Sequence, residues 1–344
     1  MKPTEAIRTV DELEEMLSEP TPSVVETLRR LPGDLLILGV AGKMGPSLAR
    51  MAKRASDAAG ISRRIIGASR FSSAGAASYL EAHGIETIQC DLLDEDAISR
   101  LPDAPNVLFM AGMKFGSTGN ESATWAMNSY LPGVVCRRFR SSRIVAFSTG
   151  NVYGLVPIES GGSVETDAPN PVGEYAMSCL GRERVFEYFS RASGIPMSII
   201  RLNYACETRY GVLVDLAQKV WQGEPVELGI GRFNVLWQGD ANAMTLNAFA
   251  HTASPPCVLN ITGPETLSVR PTCERFGELM KKTPRFSGTD GATALLSNAR
   301  RAFGLFNQPR VGADQLIEWI AEWVMRGGPL LGKPTHFESR DGKF

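Results

Sequence analysis

The sequence predicts an α/β protein built on a doubly wound parallel sheet, and three observations carry that expectation. Short aliphatic runs without polar alternation recur through the N-terminal half, as strands buried on both faces require. Stretches with helical spacing of apolar residues separate them, the alternation expected of βαβ units. The first run, Leu35-Leu36-Ile37-Leu38, leads into Gly39-Val40-Ala41-Gly42-Lys43-Met44-Gly45 and then Pro46-Ser47-Leu48-Ala49-Arg50, which reads as strand, glycine turn and helix.

In such a turn the first glycine permits a sharp reversal, the second lets backbone N–H groups approach a pyrophosphate, and the third lets helix pack against strand. The helix that follows aims its dipole and free N–H groups at the same anion. Gly39, Gly42, Lys43, Met44 and Gly45 are therefore candidate cofactor contacts. A bare strand-to-helix turn with no ligand is the alternative.

The remaining chain is consistent with an enzyme-sized globular protein. At 344 residues it suits one large domain or two lobes. A formal net charge of -1 argues against a nucleic-acid or anionic-membrane partner. No signal peptide and no apolar run of about 20 residues is visible, which with six scattered cysteines places the chain in a reducing cytoplasm. Neither the cysteines nor His83, His251 and His336 show metal-ligand spacing, so no metal is expected.

Taken in order, residues 1–33 form a helical extension, with helical spacing from Val10 to Leu17, a break at Pro20 and Pro22, and a second helix from Ser23. It packs on the domain or on a partner subunit. The second strand, Ile65-Ile66-Gly67-Ala68, ends in Ser69 and Arg70 where a ribose-binding acid would favour NAD. Ala68 in that place, followed by Arg70, favours NADP over NAD. The third strand ends at Asp91 and Leu92; Asp91 either accepts from an adenine amino group or caps the helix after it. The fourth, Asn106 to Phe109, ends in Ala111 and Gly112, small enough for close approach of a cofactor. The fifth, Arg143 to Thr149, delivers Ser148 and Thr149 to the carboxyl edge of the sheet, just before Asn151 and Val152-Tyr153-Gly154. A long helix then carries Tyr175 and Cys179.

With these motifs in place the chain resembles the extended short-chain dehydrogenase/reductases, and more narrowly the NAD-dependent epimerase/dehydratase family. The likeness runs through Ile200-Arg201-Leu202-Asn203, a late strand from Phe233 to Asp240, Asn260-Ile261-Thr262-Gly263-Pro264 and Ser297 to Leu305, roughly residues 34–325. It implies a Rossmann-type dinucleotide-binding domain over 34–204 and 235–265. A smaller substrate lobe over 205–234 and 266–325 and an extended tail over 326–344 complete it, the tail extended or wrapped around a neighbour. It implies NAD or NADP as cofactor, a sugar, sugar nucleotide or sugar-derived acid as substrate, and a homodimer formed by helices near 124–139 and 174–193.

The resemblance also assigns roles. Thr149 orients the reacting oxygen and Tyr175 transfers the proton; Ser148, Asn151 and Asn203 are substrate candidates, Arg209 either clamps a phosphate or carboxylate or makes an ordinary surface salt bridge, and Trp237 either lines the cleft or is core. Gln238 and Asp240 are further cleft candidates. The family's YxxxK motif, however, is YxxxC here: Cys179 stands where a lysine normally lowers the tyrosine pKa. Another cation, a different base, or a non-catalytic cofactor-binding sensor are the three readings. Lys114, just past the fourth strand, is the candidate surrogate. Gly150 and Asn151 also replace the Asp-Glu pair of the 4,6-dehydratases, which disfavours water loss.

Overall fold

The computed structural model describes residues 6–342. Helices α1 (Val10–Leu17) and α2 (Pro22–Arg30) come first. The chain then alternates through β1 (Leu35–Leu38), α3 (Gly45–Ala58), β2 (Ile65–Ser69), α4 (Ala76–Ala82), β3 (Glu86–Gln89), α5 (Glu95–Ser99) and β4 (Asn106–Phe109). Helix α6 (Glu121–Trp125), a π-helical turn at Ala126–Tyr130 and α7 (Leu131–Arg138) lead to β5 (Arg143–Thr149) and the short β6 (Val156–Pro157). Helix α8 (Gly173–Ser193) precedes β7 (Met197–Leu202), β8 (Ala205–Cys206), α9 (Val212–Gln222), β9 (Pro225–Glu227), β10 (Arg232–Phe233) and β11 (Leu236–Trp237). Helix α10 (Gln238–Asn247) and β12 (Cys257–Ile261) follow, then α11 (Val269–Met280), α12 (Arg300–Phe306) and α13 (Ala313–Met325).

Seven of these strands form one sheet in the order β12-β7-β5-β4-β1-β2-β3, every pair parallel. Strand β1 is buried throughout, and Leu38 lies in register between Ala68 and Phe109. The order reverses direction between β1 and β4, and at such a switch point the carboxyl ends of the strands open a crevice. The predicted doubly wound sheet is thus the observed one.

The N-terminal extension packs on its own chain. Thr9 and Glu12 form a reciprocal cap on α1, and Thr21 caps α2 with Pro22 in the first turn. Leu13 and Leu17 of α1 and Val24 and Leu28 of α2 are buried, against a surface that includes α3 and α10. Among the described residues no helix is long and apolar enough to cross a membrane.

One expectation is corrected. The late strand from Phe233 to Asp240 is not continuous: β10 and β11 are two-residue strands in separate small sheets, and helix begins at Gln238. Asp240, in the first turn of α10, accepts from Arg310 Nε at 2.8 Å and from the Arg310 and Val311 amides, contacts that the helix geometry makes reachable. The tail, without helix or strand over its described residues, folds back over its own chain. Leu331 donates to the Arg209 carbonyl, Thr335 donates to Asp215, and Phe337 is buried against Phe233. Gly342 lies on the start of α8, where a Cβ on Gly173 would meet its carbonyl oxygen at 2.5 Å.

Candidate active site

The glycine turn is shaped by close backbone approaches. Gly39 has φ +87°, and a Cβ there would sit 2.8 Å from the Ala111 nitrogen; at Gly45 it would sit 2.0 Å from the Val40 carbonyl oxygen. Helix α3 starts without a side-chain cap, and Pro46 takes one of its first positions. Its remaining first-turn N–H groups are the kind of donor that a phosphate satisfies. The residues present therefore fit a dinucleotide pyrophosphate.

Two cavities meet at this turn, sharing Gly39, Gly42, Met110 and Gly112. The first, about 260 Å³, is walled by Lys43, Lys114, Thr149, Asn151, Tyr175 and Asn203, with Met44 on its rim. The second, about 230 Å³, is lined by Ser69, Arg70, Asp91, Leu92 and Ala111. Thus the residues read as contacts for the two ends of a dinucleotide lie on either side of the glycines. The capping role weighed for Asp91 belongs to Asp94, which accepts from the Ala97 amide; Asp91 accepts from Leu93 instead.

The catalytic candidates come from three elements. Strand β5 ends in Thr149, whose Oγ1 accepts from the amide and the side-chain nitrogen of Asn151 at 3.2 and 2.9 Å. Helix α8 places Tyr175, Cys179 and Arg182 along one face. Burial pushes the Tyr175 phenol well above its usual range, with the neighbouring Cys179 adding to the rise and Arg182 opposing it. Burial likewise raises the Cys179 thiol, so it is a neutral group packed against Val152 and Tyr153. Lys114 lies 6.0 Å from the Tyr175 ring and donates to the Thr335 carbonyl at 3.3 Å. Burial lowers its pKa to about 8, against the opposing pull of Asp215 and Cys179.

Arg182 was not singled out from sequence, although its position seven residues beyond Tyr175 was a readable signal of a shared helix face. Its guanidinium is buried in the cavity wall. It donates to Phe147 O at 2.9 Å, to Asn128 Oδ1 at 2.5 Å and to Asn128 O at 3.3 Å. Asn128 is held at the π-helical turn, where it also donates to Ser178 and Met113 O. Thr335, another wall residue, carried no signal, because only the returning tail brings it there.

Several substrate candidates are placed elsewhere. Ser148 reaches the first cavity, but its hydroxyl is spent on Glu183 Oε1 at 2.5 Å. Arg209 pairs with Glu207 and Glu14, so its charge is directed at the N-terminal extension rather than the cavity. Trp237 is almost fully buried against Trp319 and is core. Gln238 donates to Ser47, and Asp240 holds Arg310. Lys43, read as a cofactor contact, turns its ammonium toward Ala205 O at 3.1 Å and the Tyr210 ring at 3.7 Å.

The NAD dependent epimerase/dehydratase family model matches residues 35–218, just over half of the chain. No curated protein matches the sequence. Among solved structures, UDP-glucuronic acid 4-epimerase from Bacillus cereus, in complex with UDP-glucuronic acid and NAD, aligns with TM-score 0.70 and 18% identity over 85% of this chain and 99% of its own. UDP-glucose 4-epimerase from Thermotoga maritima aligns with TM-score 0.69 and 17% identity, over 86% and 99%. The dTDP-glucose 4,6-dehydratase of Bacillus anthracis, in complex with NAD, aligns with TM-score 0.70 and 15% identity, over 86% and 97%. These likenesses are of fold. The family model, matching more than half of the chain, makes it a member of the NAD dependent epimerase/dehydratase family.

Proposed function

We propose that the protein is a nicotinamide-dinucleotide-dependent oxidoreductase or epimerase acting on a hydroxyl or keto carbon of a sugar, sugar nucleotide or sugar-derived acid. One observation carries this reading: the Tyr175 and Thr149 side chains wall the same cavity as Gly39 and Gly42, so a reacting oxygen and a dinucleotide meet there. When bound, the dinucleotide accepts and returns a hydride. Thr149 orients the substrate oxygen by hydrogen bonding, and Tyr175 moves its proton. As a neutral phenol Tyr175 is ready to donate; to accept it needs a positive field, which Arg182 supplies from its own helix. Asn151, Asn203 and Lys114 complete the wall around the reacting carbon. Gly150 and Asn151 offer no carboxyl after Thr149, which favours reversible oxidation over water loss.

NAD is the cofactor found with members of this fold. The finer preference for NADP rests on Ala68 and Arg70 at the mouth of the second cavity. A cytoplasmic homodimer is part of the same reading, supported by the exposed Trp125, Tyr130, Met177 and Tyr188 on α6, the π-helical turn and α8. A non-catalytic sensor is the second reading, favoured by the buried Cys179 in the place of the family's lysine.

Fluorescence titration with NADH and NADPH, followed by turnover on UDP-glucose, UDP-glucuronic acid and free glucuronate, tests the proposal. Tyr175→Phe is expected to lower turnover by about 10²–10⁴-fold with dinucleotide affinity retained. Tight dinucleotide binding, no turnover on any of these substrates and no effect of Tyr175→Phe would instead establish the sensor.

A further inference from the structure

The first cavity is unusual in its charge. Lys43, Lys114 and Arg182 all reach its wall, and no carboxylate lines it among the described residues. Lys43 has, among the described residues, one hydrogen bond to a carbonyl and one aromatic face, and no carboxylate partner. The acid whose charge acts on it, Glu207, is paired with Arg209, which also holds Glu14. Arg182 is likewise held by carbonyl and amide oxygens only. A buried cation without a carboxylate partner, as at Lys43, is costly unless a ligand completes it. Consistent with this, burial brings Lys43 down to about 8, with Glu207 the main opposing influence and Lys114 adding to the fall.

The pyrophosphate of a dinucleotide does not account for Lys43. That group belongs at the start of α3, whereas the Lys43 ammonium extends to Ala205 and Tyr210, beyond the end of β7 and on the side away from Ser69, Arg70 and Asp91. Lys114 comes to the same cavity from the far end of β4, its Nζ tied to the tail through Thr335. Any positive charge on an oxidised nicotinamide would deepen the imbalance.

We propose that Lys43 and Lys114 form an anion-binding subsite that receives a carboxylate or phosphate group borne by the substrate close to its reacting carbon. This rests on the oxidoreductase reading and narrows its substrate to an anionic sugar derivative. The Tyr210 ring and the Ala205 carbonyl hold the Lys43 ammonium at the cavity wall, where an anion would complete its partners. The two acceptor chemistries differ in charge, so the test separates them.

Calorimetric titration of the full chain, with and without saturating NADH, uses D-glucuronate, D-glucose 6-phosphate and neutral D-glucose as probes. The expected result is at least tenfold tighter binding of one anionic probe than of D-glucose, the tighter anion identifying the group. Lys43→Met should erase that selectivity while changing NADH affinity less than threefold, and Lys43→Arg should restore part of it. Equal binding of the three probes, or selectivity that survives in both Lys43→Met and Lys114→Met, overturns the subsite. A parallel loss of NADH and anion binding in Lys43→Met also overturns it, reassigning Lys43 to the cofactor. Anion selectivity in a protein that binds no dinucleotide would sink the oxidoreductase reading and leave the subsite standing.

Discussion

Cys179 lies one helical turn beyond Tyr175, and the next cation on that face is Arg182, about two turns along. The exchange of lysine for a buried thiol removes a charge from the immediate neighbourhood of the phenol. Arg182 opposes the rise in the Tyr175 pKa from further away, so its removal should act on the proton rather than on binding. In the oxidation direction Tyr175 must be deprotonated, and activity should climb with pH into the alkaline range. Arg182→Met should move that alkaline limb to higher pH by about one unit, equivalent to about 1.4 kcal/mol. Arg182→Lys should keep most of the wild-type profile. A kcat/KM profile against pH is the measurement; an unchanged limb in Arg182→Met would remove Arg182 from the mechanism and return the role to Lys114.

Strand ends are locked to α8 by a buried polar network. Arg201 of β7 pairs with Glu183 at 2.7 Å, and Glu183 accepts from Ser148 of β5. The Arg201 Nη1 donates to the Tyr153 hydroxyl, which donates to Asn260 of β12 at 2.8 Å. Both charged partners are about 95% hidden from solvent, so removing one leaves the other uncompensated. Glu183→Gln should therefore lower stability by about 3–5 kcal/mol, read by thermal or denaturant unfolding. This network explains why Ser148 is unavailable to substrate: its hydroxyl is a strut that fixes the angle at which Thr149 leaves the sheet. The sequence showed the two hydroxyls side by side but not that one faces a buried carboxylate.

Across the whole molecule, the tail closes the structure on itself. Its anchor points, Thr335 on Asp215, Arg340 on Gly229 O and Thr293, and Phe337 in the core, lie on elements far apart in the chain. Phe337→Ala should cost about 3 kcal/mol by cavity formation. It should also speed amide exchange at Thr335, whose N–H is held by Asp215 at 2.8 Å. Exchange at Thr335 no faster than wild type would show that the tail is held by its polar contacts alone. Because Thr335 also lines the first cavity, proposed to hold the substrate, the same variant should loosen substrate binding before it affects dinucleotide affinity.

How much of this was legible follows from the range of each interaction. The glycine turn, the aliphatic strands and the order of strand and helix are local properties: buried strands need unbroken apolar runs, and glycine is required where a Cβ would strike backbone, as at Gly39 and Gly45. Those the sequence determined by itself; Tyr175 and Cys179 were legible only through the family resemblance. Which polar side chains face the cavity was decided only by the tertiary structure. Trp237 and Arg209 are spent on partners more than 80 residues away or in the N-terminal extension, and Lys43 crosses from the glycine turn to Ala205. A side chain with several possible partners chooses among them by distance in space, and distance in space is what a linear pattern does not encode.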